Sequence, residues 1–220
     1  MAPTLVTAAV GALLAAALLG FAFDRRAVAV VVGAALCPGL DAVASLVVPG
    51  ATNALLHAVW LPLLAGGLLY WDTTLRGESA LRERGGRRAV RTGWVALAAF
   101  VVGGVGSALF AGEGAALLYP LEDARYVLRG RLVFSTQEGL VQTFLTLGAE
   151  GPGILPIQSV AGGVADPVAS WVNHDGRPGL GPSADREFRV VESGWQLVVV
   201  AAAAATLAVR AGSERLGVRR

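Results

Sequence analysis

The sequence predicts an all-α integral membrane protein with about five transmembrane helices and an extracytoplasmic segment of mixed structure. Of its 220 residues, 55% are hydrophobic and only 15% are charged, and the mean hydropathy is +0.61. A soluble domain of this length carries roughly a quarter charged residues. The chain also contains several apolar runs that are long enough for a helix to cross a bilayer. The formal charge of +2 is too small to indicate a nucleic-acid-binding protein, so the lipid bilayer is the expected partner.

Five segments have the length and polarity of membrane spans. They cover about residues 5–23, 27–48, 53–71, 93–119 and 194–209. The first is longer than the apolar core of a signal peptide and has no basic region before it, so we expect it to be retained. Pro38-Gly39 predicts a break in the second span. The fifth is short, and Trp195 and Arg210 are expected to anchor it at the two interfaces.

The arginines predict the orientation of these spans. All 18 basic residues are arginines, and they concentrate in the connection 24–26, the loop 72–92 and the tail after residue 209. With five spans these three segments lie on one side, which the positive-inside rule makes cytoplasmic. The expected protein is therefore a multi-pass protein of a prokaryotic plasma or inner membrane, with its N-terminus outside and its C-terminus in the cytoplasm.

The same count divides the chain into three regions. Residues 1–119 hold the first four spans, residues 120–193 lie outside, and residues 194–220 form the last span with its basic tail. The external region is acidic on balance, and alternation within residues 125–147 predicts two short strands, or one strand and an amphipathic helix. Glycines and prolines predict a loop over residues 173–185. This region is expected to cap the bundle, because its apolar content is low for an independent domain.

Asp41 and His57 stand out as polar residues within the predicted spans. A tight turn at Pro49-Gly50 joins the second and third spans, which makes residues 27–71 an antiparallel hairpin. Asp41 lies eight residues before Pro49 and His57 eight residues after it. At the rise of an α-helix, both residues sit roughly 12 Å below the turn. We therefore expect the two side chains to face each other at matched depth.

Two interpretations of this pair stay open. A carboxylate and an imidazole at one level of a bilayer, beside a broken helix, are typical of a polar functional site. Alternatively, Asp41 caps the half-helix that follows Pro38-Gly39, and His57 bonds to Asp41 as interhelical glue.

Other polar residues are weaker candidates for the same site. Glu113 lies near the outer end of the fourth span and is the third candidate ligand. His174 and Asp175 lie in a loop rich in glycine and proline, where a solvent-exposed turn is the ordinary expectation. Cys37 adjoins the predicted break, but buried thiols usually serve packing alone.

Two stretches of the hairpin resemble a known family. The sequences GAALCPGLDAVASL and ATNALLHAVWLPLLAG resemble the YdjM-like family of LexA-regulated inner-membrane metal-dependent hydrolases. That family carries a Pro-Asp-x-Asp element on one apolar segment and a His-Arg-Gly-x-x-His element on the next. Asp41 matches the second aspartate and His57 the last histidine, over a likeness that covers about residues 27–71. Gly39 replaces the first aspartate, and the His-Arg pair is missing.

The resemblance implies a membrane-bound hydrolase that uses Zn or another divalent metal. Catalytic zinc takes three protein ligands and leaves one position for water. Asp41 and His57 would supply two of them, and the third would come from Glu113, His174 or Asp175. The activated water would attack a phosphoester or amide of a lipid-borne substrate. A member that kept the fold and lost the chemistry is an equal alternative.

Two further functions are compatible with the sequence. The chain can be a non-catalytic structural or interaction protein of the membrane, whose external cap contacts a partner. A small transporter is the third reading, because a broken helix and intramembrane charges are typical of transport sites.

Overall fold

The computed structural model describes residues 4–46, 53–110, 114–127, 132–135, 139–142, 159–160 and 194–215. Most of these residues are helical. The α-helices are α1 Thr4–Leu18, α2 Arg25–Leu36, α3 Asp41–Ala44, α4 Trp60–Tyr70, α5 Ala80–Ala99, α6 Ser107–Leu109 and α7 Gly194–Arg215. Turns of 3-10 helix lie at Gly20–Ala22 and Cys37–Leu40, and turns of π-helix at Trp71–Leu75 and Phe100–Gly106. The strands are β1 Arg125–Tyr126, β2 Leu132–Ser135, β3 Gly139–Gln142 and β4 Ser159–Val160.

Two of the helical runs have the length and composition of membrane spans. They are Arg25–Ala44 and Ala80–Leu109, while Thr4–Leu18 and Gln196–Arg210 are shorter apolar helices. The prediction of a largely helical, membrane-compatible chain is confirmed in this coarser form. Five complete crossings and their orientation stay predictions.

The predicted break in the second span is present only as an interruption of the α-helix, which ends at Leu36 and resumes at Asp41. Residues Cys37–Leu40 form a 3-10 turn that leads directly into α3, and Leu40 keeps right-handed helical angles of φ −67° and ψ −16°. Pro38 is compatible with this geometry because its fixed φ is close to the helical value. The chain tightens at Pro38-Gly39 and then continues as helix.

The third span is shorter than predicted, and the fourth begins and ends earlier than predicted. Residues 53–57 form turns and α4 begins only at Trp60. Asn53 has a left-handed φ of 58°, a conformation that does not propagate a right-handed helix. In the fourth predicted span, the helix ends at Leu109. Ala115, which the prediction placed within this span, forms a β-bridge with Tyr126 instead.

One compact unit consists of the described residues within Pro3–Pro38, Trp60–Gly104 and Phe188–Arg220. Its largest buried cluster contains many small residues, including Ala15, Ala35 and Ala99. A Cβ placed on Gly11 would lie 2.9 Å from the Cβ of Ala35, and one on Gly103 would lie 3.1 Å from the same atom. Small residues at these positions let α1, α2 and the turn after α5 approach closely, as is common between helices in membranes.

The second unit consists of the described residues within Gly39–Val59 and Val105–Glu187. Its strands β2 and β3 form an antiparallel hairpin in which Val133 pairs with Val141, and β1 pairs antiparallel with β4. Short strands are present within residues 125–147, as one of the two predicted alternatives had it, but they number three among the described residues: β1, β2 and β3. The predicted loop at residues 173–185 lies outside the described residues.

The loop 72–92 is more ordered than its charges predict. Helix α5 begins at Ala80 and is kinked at Gly86, whose φ of 64° and ψ of −159° are not helical. Asp72 accepts hydrogen bonds from the hydroxyl of Ser79 (2.7 Å) and from the backbone N–H groups of Ala80 (3.0 Å) and Leu81 (3.2 Å). A carboxylate from outside the helix thereby satisfies amides that the first turn leaves without partners.

These contacts predict a pH-dependent contribution of Asp72 to stability. The pKa of Asp72 lies below its ordinary value of 3.8, chiefly because the Ser79 hydroxyl bonds to the carboxylate, aided by the Ala80 and Leu81 amides and by Arg76. Partial burial acts in the opposite direction. A carboxyl group with a lowered folded-state pKa stabilises the fold above its unfolded pKa, and this stabilisation is lost as the pH falls through the folded pKa.

We therefore expect the melting temperature of Asp72→Asn to lie below that of the wild type at pH 7. The difference should shrink as the pH falls below 3.8. Thermal unfolding of both proteins in the same detergent, followed by circular dichroism between pH 7 and pH 2, measures it. A difference that stays constant over this range would contradict the capping role.

Candidate functional site

The structure brings Asp41 and His57 together. Asp41 lies in the first turn of α3 and is fully buried, and His57, at the end of the turns 53–57, is 3% exposed. His57 Nδ1 is 2.9 Å from Asp41 Oδ2. The predicted meeting of the two side chains is confirmed, although His57 lies in a turn and not on a helix.

The Asp41 carboxylate also binds the backbone beside His57. The N–H of Leu56 donates to both of its oxygens, at 2.9 Å and 3.0 Å. The residue that precedes α3 is Leu40, which makes no side-chain cap, and Asp41 directs its oxygens to the 53–59 segment. The predicted capping of its own half-helix is therefore wrong: Asp41 satisfies the amide of a turn that is distant in sequence.

The bond to Asp41 fixes the role of each imidazole nitrogen. A carboxylate only accepts hydrogen bonds, so the proton of a neutral His57 must be on Nδ1, which leaves Nε2 as an acceptor. No hydrogen bond between His57 Nε2 and another part of the described chain is present. The arrangement resembles the orientation of a base or a metal ligand by a carboxylate, in which the second nitrogen does the chemistry.

Asn53 connects this turn to a later segment of the same unit. Its side-chain Nδ2 donates to the carbonyl of Gly114 at 3.0 Å, and its own carbonyl accepts from the N–H of Ala116 at 2.9 Å. The N–H of Val59 donates to the carbonyl of Leu117 at 2.8 Å. The turn that carries His57 is thus held by α3 on one side and by residues 114–117 on the other.

The 114–126 segment contributes buried polar side chains that sequence reasoning missed. Arg125 is 5% exposed and Tyr126 is fully buried. The Tyr126 hydroxyl donates to the Glu122 carboxylate. Asn53 belongs with this missed group, and its only advance signal was the preference of asparagine for turns and left-handed backbone after Pro49-Gly50.

Most of the other predicted ligands cannot be placed relative to the pair. Glu113, His174 and Asp175 lie outside those residues, and Cys37 lies half-buried in the 3-10 turn before α3. Within the described ranges, no cluster of three His, Cys, Asp or Glu side chains is placed to hold a metal ion.

The described residues do not by themselves fit a catalytic zinc ion. Both Asp41 oxygens already accept hydrogen bonds, which makes Asp41 a positioning residue for His57 more readily than a direct ligand. His57 Nε2 is then one well-oriented ligand, whereas catalytic zinc takes three from the protein. The chemistry that the described residues can support is accordingly that of the His57 imidazole.

Comparison with known proteins found no matching family model, curated protein or solved structure. The likeness to the YdjM-like hydrolases therefore stays a hypothesis from the residues of the hairpin.

Asn53 offers a direct test of how this turn is held. Asn53→Ala removes the bond to Gly114 and places alanine, which tolerates left-handed backbone less well than asparagine does, at a φ of 58°. We therefore expect a loss of about 2 kcal/mol in the free energy of unfolding. Asn53→Gly removes the same bond but tolerates the backbone, so its loss should be about half as large. Equal losses in both variants, measured by denaturant titration in detergent, would show that the left-handed backbone costs nothing here.

Proposed function

We propose that the chain is a multi-pass membrane hydrolase in which His57 acts as general base and Asp41 positions it. The observation that carries this proposal is the 2.9 Å contact between His57 Nδ1 and Asp41, which orients the imidazole and leaves Nε2 as an acceptor. Orientation of histidine by a buried carboxylate is a recurrent device of hydrolytic sites.

The chemistry available to such a pair is water activation. His57 Nε2 takes a proton from a water molecule as its oxygen attacks the carbonyl carbon or phosphorus of the substrate. Asp41 stabilises the imidazolium that forms, without itself taking the proton. The imidazolium then returns the proton to the leaving oxygen or nitrogen as its bond breaks, so the base is regenerated in each turnover.

The surroundings of Asp41 favour a substrate that reaches the site from the bilayer. Leu40 and Val43, on either side of Asp41 in sequence, expose 56% and 45% of their surface. Apolar side chains that remain exposed beside a buried polar pair are expected where lipid, and not water, covers the protein. A lipid-borne ester, amide or phosphoester is the substrate class that fits this setting.

The proposal includes five crossings, with the N-terminus outside and the C-terminus in the cytoplasm. Tyr70 and Trp71, at the junction of α4 with the arginine-bearing loop, are about half exposed, which is typical of side chains at a membrane–water interface. Reporter fusions after residues 25, 85 and 215 should all report the cytoplasm, and a fusion within residues 120–193 the outside. A cytoplasmic signal from the last fusion would refute this orientation.

The test of the activity uses the purified full chain in lipid nanodiscs. A panel of chromogenic carboxylic and phosphoric esters with acyl chains of increasing length provides the substrates, and elemental analysis of the same sample measures any bound metal. His57→Ala should abolish turnover, and Asp41→Asn should lower kcat at least tenfold with little change in KM. Retained turnover in His57→Ala would exclude His57 as the base.

A non-catalytic membrane protein is the second candidate, and one observation favours it. The Leu56 N–H donates to both Asp41 oxygens, so the carboxylate already has a structural task in holding the 53–59 segment. In this interpretation, His57 contributes one more hydrogen bond to Asp41 and performs no chemistry. Absence of turnover across the substrate panel, together with large stability losses in the Asp41 and His57 variants, would support it over the hydrolase.

A further inference from the structure

Helix α5 carries a group of arginines directly after its kink at Gly86. Arg87, Arg88 and Arg91 are all exposed, and they belong to the α-helical stretch that follows the kink. Arg87 and Arg91 are four positions apart, and Arg88 and Arg91 are three apart, so the three side chains are neighbours on the surface of one helix. Their proximity therefore follows from the geometry of a single element.

These three positive charges have no carboxylate partner among the residues that the structure describes. No described carboxylate forms an ion pair with them, and Glu83, the nearest acidic residue in sequence, lies before the kink. Arg91 donates from Nε to the carbonyl of Leu18 at 2.7 Å, which holds its side chain at the end of α1 without cancelling its charge. Like charges at these spacings destabilise a helix, so helix stability does not account for the cluster.

An aromatic and then an aliphatic surface continue from the arginines along α5. Trp94 lies seven positions after Arg87 and three after Arg91, which is the spacing of one helix face, and it is 38% exposed. Val101 and Val102, further along the same helical run, are 41% and 53% exposed. At the rise of an α-helix, they lie roughly 15 Å from Arg91 along the axis. Charged, aromatic and aliphatic side chains thus follow one another in the order in which a bilayer changes from head groups to hydrocarbon.

We propose that this face of α5 binds an anionic phospholipid of the bilayer. The phosphate lies at the three arginines, Trp94 lies at the level of the glycerol backbone, and an acyl chain passes Val101 and Val102. Planar guanidinium groups suit a phosphate because charge and paired hydrogen bonds act together, and basic groups at the end of a hydrophobic span attract anionic lipids. The inference rests on the proposed membrane placement of the chain but not on its hydrolytic activity.

The test measures how strongly the purified full chain retains phosphatidylglycerol. The chain is reconstituted in phosphatidylcholine nanodiscs, phosphatidylglycerol is added in steps, and native mass spectrometry counts the retained lipid. R87Q/R88Q should weaken retention about tenfold or more, because two of the three charges at the head group are lost. Within the described part of the chain neither guanidinium forms a hydrogen bond or an ion pair, so the melting temperature of this variant in pure phosphatidylcholine should equal that of the wild type.

The charge-matched control is the double variant R82Q/R84Q. Both of these arginines are exposed and precede the kink at Gly86, so they are not part of the helical stretch that carries Trp94. Retention of phosphatidylglycerol by this variant should stay within about twofold of the wild type. Equal weakening in the two double variants would overturn the proposal in favour of diffuse attraction to the membrane surface.

A second measurement reports where the lipid lies. Phosphatidylglycerol with brominated acyl chains quenches the fluorescence of nearby tryptophans, and in the wild type it should quench more strongly than equally brominated phosphatidylcholine. Trp94→Phe should remove this excess, because the ring at the bound lipid is kept while its indole fluorescence is lost. An excess that persists in Trp94→Phe would place the lipid elsewhere and overturn the assignment.

Failure of the membrane placement has a different signature from failure of the lipid site. A chain that is soluble and monodisperse without detergent would refute the placement, whatever the lipid result. Inorganic phosphate at millimolar concentration should not raise the melting temperature, because it lacks the acyl chain. Stabilisation by phosphate equal to that by phosphatidylglycerol would overturn the lipid assignment alone.

Discussion

Replacement of Asp41 by alanine is expected to lower the free energy of unfolding by about 3–5 kcal/mol, the usual cost of removing one partner from a buried polar pair. The carboxylate is fully buried, and its loss leaves the Leu56 N–H and His57 Nδ1 without their acceptor. An unpaired buried donor retains its desolvation cost without compensation. Titration with sodium dodecyl sulfate from a mild detergent, followed by circular dichroism, measures the change.

Two variants serve as controls for this expectation. Ser45→Ala removes a buried hydroxyl whose one hydrogen bond within the described residues is to the carbonyl of Ala42, and should cost about 1 kcal/mol. Asp41→Asn keeps one acceptor oxygen and should fall between the two. If Asp41→Ala proved no more costly than Ser45→Ala, the pair would not be what holds the 53–59 segment in place.

Replacement of Gly104 by valine should be the second largest single loss, about 3 kcal/mol. A Cβ at this position would lie 2.9 Å from the carbonyl oxygen of Ala35 and would also meet the ring of Pro38. Neither backbone nor a proline ring can move aside as a flexible side chain would, so the helices must separate. Membrane helices that rely on small residues for close approach are sensitive to such substitutions.

Gly33→Val is the matched control for this substitution. Gly33 lies on α2 in the same unit, is exposed, and has open space where a Cβ would be added. Its unfolding free energy should stay within about 1 kcal/mol of the wild type. A similar loss in both valine variants would indicate a general intolerance of β-branched residues, and not the close contact at Gly104.

The hydrophobic pattern located the helices well but misplaced their ends. Apolar composition marks a span, yet helix boundaries depend on local backbone preferences that hydropathy ignores. Asn53 has a left-handed backbone, and the next helix begins only at Trp60. Ala115 is not helical and forms a β-bridge with Tyr126. The arginine-rich loop likewise reads as coil, although Asp72 caps a helix within it.

The contact between Asp41 and His57 could be predicted from the sequence, whereas the backbone contacts around it could not. Equal sequence spacing from Pro49 predicted that Asp41 and His57 would meet, and the contact is present although His57 lies in a turn and not on a helix. The bond from Asp41 to the Leu56 amide was not predictable, because a backbone partner has no signature in the sequence. The involvement of Asn53 with Gly114 depends on a contact across 61 positions, which no local pattern encodes.

That long-range bond also has a consequence for the order in which the protein matures. Residues 53–59 are synthesised well before residues 114–117, whose backbone they need for their hydrogen bonds. Contacts between distant parts of a chain form late, since the intervening loop must first be closed. During synthesis, the turn that carries His57 therefore lacks these hydrogen-bond partners until more than half of the polypeptide has been made.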